Sequence, residues 1–284
     1  MRAALHGGFL VKIKVVKKAN GDVSLTRETE IDTRRLDYDS KLCIGCGICA
    51  EVCPLLAIEM GPIGALTSGE AGGPNVLIDE RACALCGICA ALCPKDALKL
   101  VIDGNEMKEL EGYPHLAAEL SIDPKLCVPF DSAKVEVCTE CQDICPTEAI
   151  KVVKAASQKY EVQFNRDLCC YCGKCVEACP KDAIKVQKPF EGRIQLDKAK
   201  CKACDACVLV CPAKTIEIVT PPKPYMKGDR YKLVDDFCFF CGTCSQACPV
   251  KAIQVSRTKV NLVGSARGPW KTSWDSGVKK MMEA

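Results

Sequence analysis

The sequence predicts an array of one small module, repeated six times: a strand, a cysteine-rich loop, a helical turn and a returning strand. Three observations predict it. There are 25 cysteines in 284 residues, a density at which cysteines carry the fold. Aromatic residues make up only 5%, too few for one large aromatic core. A cysteine run ending in Cys-Pro recurs along the chain, and internal repeats of this length signal stacked copies of one supersecondary unit.

Each copy opens with a strand-like segment. These are Arg35–Tyr38, Asn75–Asp79, Leu120–Asp123, Tyr160–Phe164, Arg193–Leu196 and Tyr231–Val234, the first the weakest. After each Cys-Pro a pair such as Ala57-Ile58, Ala97-Leu98, Ala149-Ile150, Ala183-Ile184, Thr215-Ile216 or Ala252-Ile253 starts a second strand. Gly69–Pro74 and Pro221–Gly228 read as loops, and residues 104–119 as the longest connector and a domain boundary. Phe9–Glu30 alternates around Asn20-Gly21-Asp22, which predicts a hairpin turn within an N-terminal extension, residues 1–35. The tail, residues 257–284, has no cysteine and holds both tryptophans, Trp270 and Trp274. It is expected to be an extended arm lying on a partner subunit.

Five runs follow C-x2-C-x2-C-x3-C-P without a gap: Cys43, Cys46, Cys49, Cys53; Cys83, Cys86, Cys89, Cys93; Cys169, Cys172, Cys175, Cys179; Cys201, Cys204, Cys207, Cys211; and Cys238, Cys241, Cys244, Cys248. The third run in chain order keeps Cys138, Cys141 and Cys145 and lacks a first ligand at the expected place. Cys127 is the spare thiol nearby and is assigned to it. Six sets of four use 24 cysteines and leave Cys170 over. This spacing is that of thiolate ligands to 4Fe–4S clusters, so six such clusters are expected. A tight loop offers three sulfurs, and the fourth cysteine is expected on the helical turn that follows. Backbone N–H groups must point at the sulfurs. A small residue permits that approach, and Gly47, Gly87, Gly173 and Gly242 follow the second cysteine in four runs. Thr139 and Asp205 stand there in the other two.

Other chemistries fit less well. Zinc sites need paired C-x2-C units but neither the third cysteine nor the Cys-Pro. Disulfides need export, and the N-terminus shows no apolar h-region. No window is long and apolar enough to span a membrane, so a cytoplasmic location is expected. Arg34-Arg35 reads as a surface pair, and His6 and His115 as ordinary surface or loop residues. A net charge of +3 gives no reason to expect nucleic acid. Ile44, Leu85, Tyr171, Phe239 and Phe240 are expected to keep water from the metal sites, and Cys170 to be a buried or semi-buried free thiol. Dinucleotide, P-loop and nucleophile-elbow motifs are missing, and every metal has a full thiolate set. The reading is an electron carrier that is not catalytic alone.

These runs resemble the bacterial-type two-cluster ferredoxin family, over about residues 36–256. The resemblance implies an α+β fold: three tandem two-cluster domains (36–104, 120–187 and 192–256), each with a small antiparallel sheet and short helices. It implies that the fourth cysteine of each run crosses to the neighbouring cluster. Cys93 would then join Cys43, Cys46 and Cys49, while Cys53 joins Cys83, Cys86 and Cys89. In the second domain Cys179 would join Cys127, Cys138 and Cys141, and Cys145 would join Cys169, Cys172 and Cys175. In the third, Cys248 would join Cys201, Cys204 and Cys207, and Cys211 would join Cys238, Cys241 and Cys244. A partly nested order, with the fourth and fifth runs paired inside the third and sixth, stays open. The phrases Leu42–Pro54 and Leu168–Pro180 are similar to polyferredoxins of methanogenic archaea, and among them to the polyferredoxin component of formylmethanofuran dehydrogenase. That resemblance implies delivery of low-potential electrons to the catalytic and other electron-transfer subunits of an oxidoreductase complex in methanogenesis, with a soluble ferredoxin as a further partner. A polyferredoxin of a hydrogenase or heterodisulfide reductase, and a free soluble carrier, are the alternatives.

Overall fold

The computed structural model describes residues 2–6, 9–61, 75–127, 130–131, 136–155, 160–219, 227–268 and 270–283. The Gly69–Pro74 loop, most of Pro221–Gly228 and much of the insertion between Cys127 and Cys138 lie outside them.

Strand pairing sets the architecture. A six-stranded sheet joins β1 (Arg2–His6), β2 (Phe9–Lys17), β3 (Val23–Glu28), β4 (Thr33–Tyr38), β7 (Leu98–Ile102) and β8 (Asn105–Glu106). β2 and β3 form an antiparallel hairpin whose turn holds Gly21 at φ +89°. Leu25 and Leu36 are paired across β3 and β4 and are fully buried, as the period-two alternation of a one-sided sheet requires.

The strand before one run pairs with the strand after the next. β4 pairs with β7, while β5 (Ile58–Met60) pairs with β6 (Val76–Ile78). The same relation holds for β10 (Glu119–Ile122) with β15 (Ile184–Gln187), around β13 (Ile150–Lys154) with β14 (Tyr160–Phe164). Within the insertion of the third run, β11 (Phe130–Asp131) pairs with β12 (Glu136–Val137). The flanking relation holds again for β16 (Phe190–Leu196) with β19 (Ile253–Val260), around β17 (Ile216–Ile218) with β18 (Tyr231–Leu233). Among the described residues, no strand flanking the third run pairs with one flanking the sixth. Small antiparallel ribbons with one-turn helices make this an α+β fold.

Two parts of the chain depart from expectation. The connector 104–119 is not a free linker: Met107 and Leu116 are buried, and β9 (His115–Leu116) pairs with β20 (Leu262–Val263). His115 is thus a half-buried strand residue. The C-terminal tail is not an extended arm. Trp270–Glu283 is a helix packed on helix Ile48–Val52 and on β19 of the same chain. Trp270, Trp274, Gly277 and Met281 lie one turn apart on one face. Trp274 and Met281 are buried, and a Cβ on Gly277 would stand 3.2 Å from Ile88 and 3.4 Å from Val52. Trp270 donates its indole N–H to the Cys86 carbonyl at 2.7 Å and stacks on Trp274 at 5.0 Å. The aromatic anchors close an intramolecular interface.

Candidate metal centres

Each regular run folds into a loop by two left-handed steps. The residue two after the first cysteine has positive φ: Gly45 +66°, Leu85 +51°, Tyr171 +52°, Ala203 +55° and Phe240 +54°. That conformation turns its own N–H back toward the first sulfur. Tyr171, Ala203 and Phe240 donate to Cys169, Cys201 and Cys238 at 3.3, 3.4 and 3.4 Å. The residue after the second cysteine is again left-handed. It is Gly47, Gly87, Gly173 or Gly242, or Asp205 at φ +61°, and it opens a one-turn helix. Asp205 is held there by Tyr231 and Arg230, which donate to its carboxylate at 2.5 and 2.8 Å. Thr139 instead keeps φ −120°.

The third cysteine, not the fourth, lies on the helical turn: Cys49, Cys89, Cys141, Cys175, Cys207 and Cys244 are all helical. The fourth ends or follows the helix. Three residues beyond it the chain turns left-handed once more, at Leu56, Asp96, Glu148, Asp182, Lys214 and Lys251, with φ from +47° to +54°. In five of the six runs the next residue then donates its N–H to the fourth sulfur. Ala57 reaches Cys53 at 3.2 Å, Ala149 Cys145 at 3.3 Å, Ala183 Cys179 at 3.3 Å, Thr215 Cys211 at 3.4 Å and Ala252 Cys248 at 3.1 Å. A non-glycine residue held there costs about 1–3 kcal/mol, and it recurs where it aims a donor at sulfur. Ordinary Leu, Asp, Glu and Lys residues give no sequence signal for this strain, so sequence reasoning missed them.

The folded loops bring thiols from different runs to common pockets. Cys43, Cys46, Cys49 and Cys93 line one, under Tyr38, and Cys53, Cys83, Cys86 and Cys89 line the next. Cys145, Cys169, Cys172 and Cys175 line a third, with Cys170 at its wall. Cys201, Cys204, Cys207 and Cys248 share a fourth, and Cys211, Cys238, Cys241 and Cys244 a fifth. Cys127 lies near Cys138 and Cys179, and Cys141 near Cys127 and Cys138.

Crowding these thiols away from water disfavours their ionisation. Burial pushes Cys141 and Cys169 up to about 11 and Cys175, Cys207 and Cys238 up to about 12. Cys172 is the exception: a hydrogen bond from the Cys170 thiol holds it down at about 6. Thiolates here need a compensating cationic partner. Among the described residues, no group of three or more His, Cys, Asp or Glu side chains is placed to hold a single metal ion. The thiols ring pockets instead, with N–H donors on their sulfurs. That donor set fits a 4Fe–4S cluster.

Three of the pockets meet. Cys46, Cys172 and Cys241 pack in one apolar cluster with Cys170, Ile44, Ala213, Cys211 and Phe239, so the first, second and last pairs of runs converge there. Leu85, Tyr171, Phe239 and Phe240 are buried and Ile44 half-buried. Arg257, on the buried face of β19, closes one side. It donates to the carbonyls of Phe240, Cys241 and Met281 at 3.0, 2.7 and 3.0 Å and pairs with Glu51 at 3.3 Å.

The 4Fe-4S dicluster domain family matches residues 26–97 and 200–252, and the 4Fe-4S binding domain family matches residues 162–185. The polyferredoxin protein FwdF of Methanocaldococcus jannaschii is 46% identical over 99 residues, 35% of this chain and 28% of that relative. The match thus spans little more than a quarter of the curated relative's length. A chain of the formate dehydrogenase–heterodisulfide reductase–formylmethanofuran dehydrogenase complex from Methanospirillum hungatei is similar in structure, with a TM-score of 0.77 at 29% identity. That match covers 95% of this chain and 91% of that one. No described helix is long and apolar enough to cross a membrane. With four-thiol pockets repeated along the chain, residues 26–97, 162–185 and 200–252 are ferredoxin-type 4Fe–4S domains, and the chain as a whole is similar to polyferredoxins.

Proposed function

We propose that this chain is the electron-carrying subunit of a multisubunit oxidoreductase, holding six 4Fe–4S clusters in three two-cluster domains (36–104, 120–187 and 192–256). The ligand sets would be those that share pockets, with Cys127, Cys138, Cys141 and Cys179 as the sixth. When bound, each cluster stores and releases one electron at low potential. The chain's own part is to bind, space and insulate: the N–H donors favour the charged sulfurs, and the apolar residues exclude water. The observation that carries the proposal is the shared apolar cluster of Cys46, Cys172 and Cys241, which links thiol sets from all three domains. A protein that used metal only as a staple would not need these sets to touch.

Formylmethanofuran dehydrogenase is the proposed enzyme, with its catalytic subunits as acceptors and a soluble ferredoxin as a donor, in the cytoplasm where thiols stay reduced. Support comes from the relative named FwdF and the complex containing that dehydrogenase. A heterodisulfide reductase is the second reading, since the same complex contains one. The test is anaerobic mixing of the pre-reduced chain with each catalytic module, following cluster absorbance by stopped flow. Rapid reoxidation by the formylmethanofuran dehydrogenase subunits with substrate present is expected. Reoxidation by the heterodisulfide reductase alone would select the second reading, and by neither would reject both.

A further inference from the structure

Two lysines, one buried and one half-buried, sit where the domains join. Lys95 follows Cys93-Pro94, is only 9% exposed, and donates to the carbonyls of Asp167 and Cys169 at 2.5 and 2.7 Å. Lys188 follows β15 and donates to the carbonyls of Asp236 and Cys238 at 2.5 and 3.1 Å. The acceptors are the same pair in both: the carbonyl of a run's first cysteine and that of the residue two before it. The donors are not equivalent, since Lys181, not Lys188, follows Cys179-Pro180. Two non-equivalent positions thus supply one cation-binding arrangement, Lys95 from within the first domain and Lys188 from just after the second.

The charges they face are thiol sets on both sides. Lys95 lies near Cys93 of one set and Cys169 of another. Lys188 lies near Cys172 of one set and Cys238 of another. A hydrophobic side chain would fill these junctions more cheaply, at buried Lys95 above all, because withdrawing an ammonium from water is unfavourable unless anions repay it. The backbone carbonyls repay part, and a negative centre on each flank would repay the rest.

We propose that Lys95 and Lys188 are positioning residues for electron passage between domains, each placing one positive charge between two cluster sites so that both accept an electron more readily. This rests on the six-cluster reading. The step itself moves one electron from a reduced site to an oxidised one, with no bond made or broken. The charge favours the reduced, more negative state on both flanks and relieves repulsion when both are reduced.

The test is redox potentiometry with electron paramagnetic resonance on the full chain carrying Lys95→Met, Lys188→Met, Lys95→Arg or Lys188→Arg, with exposed Lys198→Met as control and iron counted in each. Each methionine variant should keep its iron and make reduction of the two flanking sites tenfold or more less favourable, a fall of about 59 mV or more for a one-electron couple. The arginine variants and the control should stay near the parent. Potentials unchanged in the methionine variants at full iron content would overturn the proposal, as would arginine variants that fall as far. Iron loss confined to the methionine variants would also overturn it, by making the lysines staples of the fold. A parent chain holding far less than six clusters' worth of iron would instead reject the reading beneath it.

Discussion

Gly87 and Gly173 occupy the same place in their runs, yet alanine should harm one far more than the other. Both are left-handed, at φ +81° and +88°, and both turn the chain so that the N–H two residues past a cysteine faces its sulfur, Ile88 to Cys86 and Lys174 to Cys172. Alanine costs about 1–2 kcal/mol in that conformation at either site. The surroundings differ. At position 87 the new Cβ would stand 2.3 Å from the Met107 sulfur and 2.7 Å from Leu100 Cδ2, in residues only 1% exposed. At position 173 its nearest neighbour is Lys188 Cε at 3.8 Å, an ordinary contact. Overpacking adds about 1–3 kcal/mol at position 87 alone. With tenfold per 1.4 kcal/mol, Gly173→Ala should speed local opening roughly tenfold, and Gly87→Ala a further five- to hundredfold. The assay is anaerobic bleaching of the visible absorbance by an iron chelator, in the full chain at fixed temperature. Equal bleaching rates in the two variants, or faster bleaching in Gly173→Ala, would refute the reasoning.

Further outcomes are expected. Anaerobic analysis should find about 24 iron and 24 sulfide per chain, four of each per cluster; substantial zinc would contradict the assignment. Cys169→Ser should lose iron while Cys170→Ala keeps all of it, because Cys169 receives the Tyr171 N–H as Cys238 receives that of Phe240; paired iron assays decide between them. Trp274→Ala should destabilise the interface between the C-terminal helix and the first two loops by about 3–5 kcal/mol, the usual range for a buried tryptophan, and hydrogen exchange at Val52 and Ile88 should report it. Removing iron should leave residues 120–187 largely unfolded by circular dichroism, since their ribbons have two strands each and little core of their own.

The repeat was legible in the sequence because its chemistry is local. Cysteine spacing, the Cys-Pro stop and the glycine after the second cysteine all act within one loop, and the strands beside them, such as Tyr160–Phe164, are short apolar alternations that need no distant partner to be recognised. What lies between loops was not legible. The left-handed residues Leu56, Asp182 and Lys251 look ordinary, because their strain is imposed by the sulfur their neighbour must reach. The tail looked like an arm because its helix has only a thin apolar stripe. Trp270, Trp274 and Met281 become a packing face once Gly277 lets the helix close on Val52 and Ile88. Arg257 sits on the inward face of β19 with Ile253 and Val255. Alternation puts it there, and the carbonyls of Phe240, Cys241 and Met281 together with the Glu51 carboxylate make that burial tolerable. The sequence alone therefore determined which thiols form runs, since that depends on spacing along the backbone. Which thiol sets touch, and which cations lie between them, was decided by tertiary packing, because Lys95 and Lys188 find their acceptors more than forty residues away.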